Sequence, residues 1–150
     1  MKTTEDTRET TNRSVVQAQF DGFVRHDLDA IMATFAQDCS YDQFSGNAAH
    51  GKRFEGRADI RRAFEKIFIA TPRCTFRNPV LVVDGDTVVA KWTFVLDGHA
   101  KKSPLEIEGI DLFELEDGKI VRKSNWMKTR IIPINHASAY IARRLAGLFR

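Results

Sequence analysis

The sequence predicts a single α+β domain in which helices precede an antiparallel sheet. Apolar residues recur with helical spacing over most of the first 70 residues, whereas apolar and polar residues alternate after Pro72. Tight-turn signals separate the alternating stretches: Asp84-Gly85, Asp97-Gly98 and Asp117-Gly118. This order is typical of an α+β domain whose helices cover one face of a curved sheet. The length of 150 residues suits one such domain.

The first helix is predicted to follow a polar arm. Residues 1–13 are rich in Thr and lack an apolar period, so we expect a flexible arm before the domain proper, which would span residues 14–130. Four apolar residues then form one stripe of a helix: Val16, Phe20, Phe23 and Val24.

Two further helices are predicted on either side of a short strand. A second stripe covers residues 28–35, with Asp27 placed as its N-cap. A third stripe covers residues 60–68 and opens at Asp59. Between them, residues 40–44 are a strand candidate, and a loop containing Gly46, Asn47 and Gly51 follows.

The second half of the chain is predicted to form strands and a final helix. The expected strands cover residues 73–76 together with 80–83, then 87–96, 105–115 and 119–128. An amphipathic helix is expected over about residues 136–149, within a C-terminal extension of residues 131–150.

The composition excludes several classes of protein. No apolar run approaches the roughly 20 residues of a membrane span, and the polar N-terminal residues do not form a secretory signal. We therefore expect a cytoplasmic protein without integral membrane association. Cys39 and Cys74 lack metal-ligand spacing and are expected to be buried free thiols. No phosphate loop, dinucleotide fingerprint or metal motif is present, so no cofactor and no metal are expected.

The charge distribution does not favour nucleic acid as a partner. Residues 119–150 contain eight Lys and Arg residues and no Asp or Glu. Aromatic residues do not interleave with these basic ones, as they do in many nucleic-acid-binding surfaces. We expect the basic segment to pair with the more acidic remainder of the same fold.

Asp111 breaks the apolar pattern of its strand and is the principal candidate for catalysis. The odd positions of residues 105–115 form an otherwise apolar lane that includes Phe113, and alternate residues of a strand share a face. A carboxylate in such a lane costs several kcal/mol unless it is paired, hydrogen-bonded or neutralised. The pattern alone is equally compatible with a functional acid and with a structural one.

The partner of Asp111 depends on the turn at Asp117-Gly118. A type I turn with a Gly bulge places Asp111 opposite Lys123, with Asn125 and Met127 on the same inner face, and we favour this alternative. A two-residue type I′ turn places Asp111 opposite Ser124. A Lys123 partner would lower the pKa of Asp111 and suit a base, whereas a hydroxyl partner would suit a general acid.

Further pocket candidates come from the neighbouring elements. The even lane of residues 87–96 is apolar and contains Trp92 and Phe94, whose rings suit either a flat ligand or the core. Tyr41 and Gln43 share one face of the short strand. Gln19 lies at the edge of the first helical stripe, beside Phe23.

Three stretches resemble the SnoaL-like cyclase and ketosteroid isomerase branch of the nuclear transport factor 2-like superfamily. They read HDLDAIMATFAQDCSYDQ, FEGRADIRRAFEKIF and EIEGIDLFELEDGKIVRKSNWMK. The resemblance implies a cone-shaped curved sheet wrapped around the N-terminal helices, with a pocket between them. It also implies a homodimer through the outer face of the sheet, which Ile110 and Leu112 would suit. This fold hosts many different reactions as well as non-catalytic modules.

The resemblance implies different things for different residues. Asp111 matches the oxyanion-hole Asp of ketosteroid isomerases and lies near the acid/base Asp of SnoaL-type cyclases. The isomerase positions for the general base and the oxyanion Tyr are taken by Gln43 and Gln19, so the ordinary isomerase mechanism is not expected. Tyr41 and Gln43 are similar to a water-holding pair in limonene epoxide hydrolase. The catalytic triad of that enzyme is replaced here by Trp92, Phe94 and Asn125.

These observations lead us to expect a cofactor-independent enzyme acting on a small or polycyclic, mostly apolar carbonyl or phenolic compound. Asp111 would move a proton in a cyclisation, isomerisation or dehydration, helped by Tyr41 and Asn125. The side chains of Trp92, Phe23 and Met127 would hold the ring of the substrate. One alternative is a non-catalytic binding module with a buried Asp111–Lys123 ion pair. Another is a dimerising interaction protein that presents its basic C-terminal helix.

Overall fold

The computed structural model describes residues 4–97 and 104–128. The helices in these ranges are α1 (Thr4–Arg25), α2 (Leu28–Ala33) and α3 (Gly56–Ala70). The strands are β1 (Phe35–Ala48), β2 (Gly51–Glu55), β3 (Cys74–Asp84), β4 (Thr87–Leu96), β5 (Leu105–Glu116) and β6 (Lys119–Met127).

The six described strands form one mixed sheet in the order β2-β1-β6-β5-β4-β3. Strands β1 and β6 are parallel, and all other neighbouring pairs are antiparallel. Helix α1 packs against β3, and α3 packs against β1. The predicted α+β class is therefore confirmed, with the helices and the sheet sharing one hydrophobic core.

Helix α1 begins nine residues before the end of the expected arm. Residues 4–13 are helical, although they carry no apolar stripe. Polar contacts hold this part of the helix against the turn between β3 and β4. The Asn12 amide donates to the Gly85 carbonyl oxygen at 3.0 Å, and the Glu9 carboxylate accepts from the Gly85 amide at 3.0 Å. Hydrophobic periodicity cannot detect a helix that is anchored in this way.

The segment expected to be a loop is a β-hairpin. Strand β1 runs to Ala48, beyond the predicted end at residue 44, and β2 follows after a tight turn. Gly51 has a φ of +77°. A Cβ there would overlap the Gln43 carbonyl oxygen, so the hairpin requires glycine at this position. Helix α3 then starts at Gly56, three residues before Asp59.

The predicted core is largely confirmed. Val16, Phe20 and Phe23 are buried, whereas Val24 is 49% exposed because it lies at the outer edge of the stripe. Asp27 caps α2 as predicted, and its carboxylate accepts from the Ala30 amide. Both cysteines are buried and free.

The pairing of β5 with β6 differs from both predicted alternatives. Asp117 and Gly118 have φ values of +48° and +68°, which are the backbone values of a type I′ turn. The register then shifts, because Leu115 pairs with Ile120 but Glu114 pairs with Arg122. Val121 is therefore a bulge within the strand. As a result Asp111 pairs with Asn125, and neither Lys123 nor Ser124 lies directly opposite it.

Two expectations fall outside the described residues. They are the amphipathic helix of residues 136–149 and the basic extension that contains it. Within residues 4–97 and 104–128, no helix is long and apolar enough to cross a membrane.

Candidate active site

A pocket lies between the inner face of the sheet and the helices. Its cavity volume is about 110 Å³. Nine of the predicted site residues line it: Phe23, Tyr41, Gln43, Trp92, Phe94, Asp111, Lys123, Asn125 and Met127. The bulge at Val121 is what turns Lys123, Asn125 and Met127 inwards, because it reverses the alternation of the remaining part of β6.

Other lining residues were not predicted as site residues. They come from the end of β1, from α3, from β3 and from the facing ends of β4 and β5: Phe44, Phe64, Ile67, Ala70, Thr71, Phe76, Leu96, Leu105 and Ile107. Most of them are apolar and carry no signal that separates a pocket wall from a core. Gln19 and Phe113 do not line the cavity, and both lie behind Lys123.

Asp111 and Lys123 form a buried ion pair at the polar end of the pocket. The Lys123 Nζ lies 2.5 Å from Asp111 Oδ2, and the side chains are 5% and 3% exposed, respectively. The two residues are diagonal neighbours on one face, since Asp111 pairs with Asn125 and Phe113 pairs with Lys123. The long Lys123 side chain therefore reaches the Asp111 carboxyl group although the two residues are not directly paired.

The ammonium group of Lys123 is enclosed by aromatic rings. Its Nζ lies 4.6 Å from the ring centroid of Phe113 and 5.4 Å from that of Phe23. Cation–π attraction stabilises a charged amine in such surroundings. The Gln19 Oε1 also accepts a hydrogen bond from Nζ at 3.0 Å. Gln19 and Phe113 thus act on the amine and not on a ligand in the cavity.

Burial opposes the charges of both members of this pair. It raises the pKa of Asp111 above its ordinary value, although Lys123 and the Trp92 indole N–H act in the opposite direction. Burial likewise lowers the pKa of Lys123, and the nearby carboxylate offsets this only in part. Burial therefore narrows the difference between the pKa of the carboxyl group and that of the amine. Lys123 lowers the pKa of Asp111, as expected from the sequence, but the net direction is upward because desolvation is the larger effect.

Tyr41 supplies a neutral hydroxyl group beside the carboxyl group. Burial raises the pKa of the phenol well above its ordinary range, and the charge of Asp111 adds to this effect. A hydrogen bond between Tyr41 and the Asn125 side chain acts in the opposite direction. Asn125 is itself held in place, because its Oδ1 accepts from the Phe44 amide at 2.8 Å. Tyr41 therefore remains a protonated donor at neutral pH.

Two buried polar atoms at the pocket have no hydrogen-bond partner among the described residues. They are Asp111 Oδ1, an acceptor, and Trp92 Nε1, a donor. The indole N–H lies near the Asp111 carboxyl group and lowers its pKa as a hydrogen-bond donor would, although the two groups do not meet the geometry of a full hydrogen bond. Gln19 Nε2 is also without a partner in the described part of the chain. Unpaired buried polar atoms are uncommon, and they often mark a site that a ligand completes.

Gly109 allows Trp92 to occupy its position. The two residues are directly opposed in the β4–β5 ladder, and the six-membered ring of the indole lies over the Gly109 Cα. A Cβ at residue 109 would overlap this ring. Gly109 was not among the predicted site residues, although a glycine within a strand indicates a close approach of another group.

The outer face of the sheet carries a separate ion cluster. The Asp42 carboxylate is 2% exposed and accepts from Arg53 Nε at 2.6 Å and from Arg122 Nη2 at 2.9 Å. Although burial alone would raise the pKa of Asp42, the two guanidinium groups hold it below its ordinary value. This cluster lies on the opposite face of β1 from Tyr41 and fastens β1 to its neighbours β2 and β6.

No group of three or more His, Cys, Asp or Glu side chains in residues 4–97 and 104–128 is arranged to hold a metal ion.

Solved structures show the same fold at low sequence identity. A candidate polyketide cyclase from Xanthomonas campestris pv. campestris is 22% identical, with a TM-score of 0.68 over 91% of this chain and 98% of that one. A candidate ketosteroid isomerase from Kribbella flavida is 19% identical, with a TM-score of 0.66 over 85% of this chain and 84% of that one. A protein of unknown function from Mesorhizobium loti, described as NTF2-like, is 24% identical, with a TM-score of 0.68 over 81% and 94% of the two chains.

At these identities the structural likeness establishes the fold and leaves the reaction open. No curated protein sequence matches the chain. The SnoaL-like domain family matches residues 16–123, which include α2, α3, strands β1 to β5 and the Asp111–Lys123 pair. The chain therefore belongs to the SnoaL-like domain family.

Proposed function

We propose that this protein is a cofactor-independent enzyme of the cyclase, isomerase or lyase type, in which Asp111 moves a proton on a small, mostly apolar carbonyl or phenolic compound. The observation that carries the proposal is the state of the Asp111 carboxyl group. It is buried in an aromatic pocket, one oxygen faces Lys123, and the other oxygen has no partner among the described residues. Burial also raises its pKa, a perturbation that is common among carboxyl groups that act as acids or bases in active sites.

The proposed step transfers one proton between the substrate and Asp111. The Asp111 carboxylate removes a proton from a carbon beside a carbonyl group. The electron pair of the broken C–H bond forms a C=C bond, and the π electron pair of the carbonyl group moves to its oxygen. The Tyr41 hydroxyl group, which stays protonated, donates a hydrogen bond to the resulting enolate oxygen. The proton then returns from Asp111 to another position of the same substrate, or leaves with a hydroxide as water.

Lys123 acts through Asp111 and not on the substrate. Its ammonium group stabilises the carboxylate before the proton arrives and shares the proton afterwards. The aromatic rings around Nζ stabilise this charge without contributing a proton of their own. Lys123 is therefore a positioning residue that adjusts the basicity of Asp111.

The Asp111→Asn variant tests the proposal. Turnover would be screened with small cyclic enones and with phenolic β-dicarbonyl compounds, and general acid–base catalysis predicts a loss of about 10²- to 10⁴-fold. Glu108→Gln is the matched control, because Glu108 lies on the same strand but on the outer face, where it pairs with Lys91. Unchanged turnover in Asp111→Asn would refute the proposal.

A non-catalytic binding module is the second candidate, and the completeness of the ion pair favours it. Lys123 has both a carboxylate and an amide oxygen as partners, as a structural pair requires. In this case Asp111→Asn should lower the free energy of unfolding by about 3–5 kcal/mol, the cost of breaking a buried pair. The free energy of unfolding of the wild type, Asp111→Asn and Glu108→Gln would be measured by denaturation. The result distinguishes the two candidates, since the enzyme proposal requires an Asp111→Asn protein that is folded but inactive.

We also propose that the outer sheet face forms a homodimer. Val80, Lys91, Ile110 and Trp126 lie in one straight row across β3, β4, β5 and β6. The side chains of Val80, Ile110 and Trp126 are 60%, 44% and 54% exposed, and Val82 beside them is also exposed. Exposed large apolar side chains that cluster on one face of a sheet are typical of a protein–protein interface.

Sedimentation of the purified full chain tests the dimer. The Ile110→Lys substitution places a charge at the centre of the row and should convert a dimer into monomers. Thr87→Lys, at an exposed position at the start of β4, is the control and should leave the mass unchanged. A wild-type protein that sediments as a monomer at high concentration would refute this proposal.

A further inference from the structure

We infer that the Lys123 amine is also a nucleophile, which forms a Schiff base with a small aldehyde in the pocket while Asp111 carries the protons of the reaction. This activity goes beyond the proposed function, in which the amine stays charged and acts only through Asp111. Three observations support it: the buried position of the amine on the pocket wall, the carboxyl group in contact with it, and the size of the cavity.

The Lys123 amine lies in surroundings that favour its neutral form. Its side chain is 5% exposed and lines the cavity. An ammonium group has three N–H donors, and two of them have hydrogen-bond partners among the described residues, Asp111 and Gln19. Burial lowers the pKa of the amine, although the nearby carboxylate opposes this effect. Lysines that attack carbonyl groups in enzymes are commonly activated by desolvation of this kind.

The Asp111 carboxyl group provides the general acid and base that such a nucleophile needs. Its Oδ2 lies 2.5 Å from Lys123 Nζ, so one proton transfer within the pair gives a neutral amine and a carboxylic acid without changing the net charge of the pocket. The neutral pair avoids the desolvation of two charges, which is the effect that raises the pKa of Asp111 and lowers that of Lys123. The proton transfer also frees the lone pair that attacks the aldehyde.

The reaction balances with these two residues alone. The nitrogen lone pair attacks the carbonyl carbon and forms a C–N bond, and the π electron pair moves to the oxygen, which takes the proton of the Asp111 carboxyl group. The nitrogen then returns one proton to Asp111, which leaves a neutral carbinolamine. In the last step the nitrogen lone pair forms a C=N bond, the C–O bond breaks, and the hydroxyl group leaves with the proton of Asp111 as water. The products are a protonated Schiff base and the Asp111 carboxylate.

The cavity limits the aldehyde to about one ring. The pocket offers about 110 Å³, and an apolar cavity of about 150 Å³ in another protein accommodates benzene. The walls suit a flat ring, because Phe76 meets both Trp92 and Phe94 edge-on, with centroid distances of 5.2 Å and 5.4 Å. The buried Trp92 Nε1, which has no partner in the described part of the chain, lies near the Asp111 carboxyl group and can donate to the carbonyl oxygen.

Reductive trapping at pH 6 tests the inference on the wild-type full chain. Benzaldehyde and sodium cyanoborohydride convert each Schiff base into a stable benzyl-lysine, which peptide mass mapping assigns to its residue. An amine with an ordinary pKa of about 10.4 is almost entirely charged at this pH, whereas a lowered pKa leaves a larger neutral fraction at Lys123. We therefore expect Lys123 to be labelled at least about tenfold faster than Lys66, which is exposed on α3.

Reagent size and a matched substitution show whether the aldehyde reaches Lys123 through the pocket. Anthracene carbaldehyde carries three fused rings, more than the cavity can hold, so it should label Lys66 but not Lys123. The Lys123→Met substitution should remove the rapid labelling by benzaldehyde, while Lys66→Met retains it. Labelling of Lys123 no faster than that of Lys66, or equal labelling of Lys123 by both aldehydes, would overturn the inference.

The outcome is separable from that of the proposed function. Benzaldehyde has no hydrogen on the carbon beside its carbonyl group, so the proposed proton transfer cannot consume it. Rapid labelling of Lys123 without any Asp111-dependent turnover would support the nucleophile and refute the proton-transfer enzyme. Asp111-dependent turnover without rapid labelling of Lys123 would support the enzyme and refute the nucleophile.

Discussion

The Lys123→Met substitution separates the charge of Lys123 from its packing. Methionine keeps an unbranched chain among the rings of Phe23 and Phe113, and its sulfur makes favourable contacts with aromatic rings. The variant therefore loses little van der Waals contact. It does remove the ammonium group that lies 2.5 Å from Asp111. The buried carboxyl group must then bind a proton when the protein folds.

The resulting loss of stability should depend on pH with a defined sign. Burial raises the pKa of Asp111 even with Lys123 present, and the removal of Lys123 raises it further. A carboxyl group whose pKa is raised in the folded state stabilises the fold fully below its unfolded value of about 3.9, and this stabilisation is lost as the pH rises through the folded-state pKa. The loss is about 1.4 kcal/mol for each pH unit. Between pH 5 and pH 7 the variant should therefore lose up to about 3 kcal/mol of its stability, and the wild type should lose less.

Urea denaturation at pH 5 and pH 7, followed by circular dichroism, measures this difference. Lys66→Met is the control, because Lys66 is exposed on α3, away from the pair and from the proposed dimer face. The control should cost less than about 1 kcal/mol at either pH, as most surface substitutions do. If Lys123→Met lost the same stability at both pH values, Asp111 would not be the group that takes up the proton, and the electrostatic reasoning would be wrong.

Three further substitutions test separate parts of the structure. Gly109→Ala should cost about 1–3 kcal/mol because its Cβ overlaps the Trp92 ring, and an unmoved indole signal would contradict this packing. Asp42→Asn should cost about 2 kcal/mol, discounted because its guanidinium partners are about one-third exposed. Since the pKa of Asp42 is lowered, the wild type should lose this stabilisation as the pH falls from about 4, and a variant with the same acid sensitivity would refute the assignment. Asn12→Ala should cost about 1–2 kcal/mol in urea denaturation, and an unchanged midpoint would show that the amide does not anchor α1.

Alternation of residues along a strand located Asp111 from the sequence alone. Its inward position needs only the two-residue period of a strand and the apolar character of its neighbours. The same rule identified Trp92 on β4 and Tyr41 on β1. Each of these residues lies in a regular part of its strand, where the period is not interrupted.

The register between β5 and β6 could not be predicted in the same way. The bulge at Val121 involves no glycine or proline, and nothing in the local sequence marks it. Helix α1 before residue 14 was missed for a different reason, because polar contacts with Gly85 hold it and leave no periodic signal. Local sequence patterns indicate which face of a single helix or strand is buried. They do not indicate contacts that form only after two elements have packed together.

The bulge at Val121 has a consequence for the ways in which this pocket can change. A point substitution alters one wall residue, whereas regular pairing of β6 through Val121, without the bulge, would exchange the whole inward set of Lys123, Asn125 and Met127 for Arg122, Ser124 and Trp126. A one-residue shift of register would thus replace an amine, an amide and a thioether by a guanidinium, a hydroxyl and an indole. Within one scaffold, the chemistry of a pocket can therefore change abruptly through strand register as well as gradually through side-chain substitution.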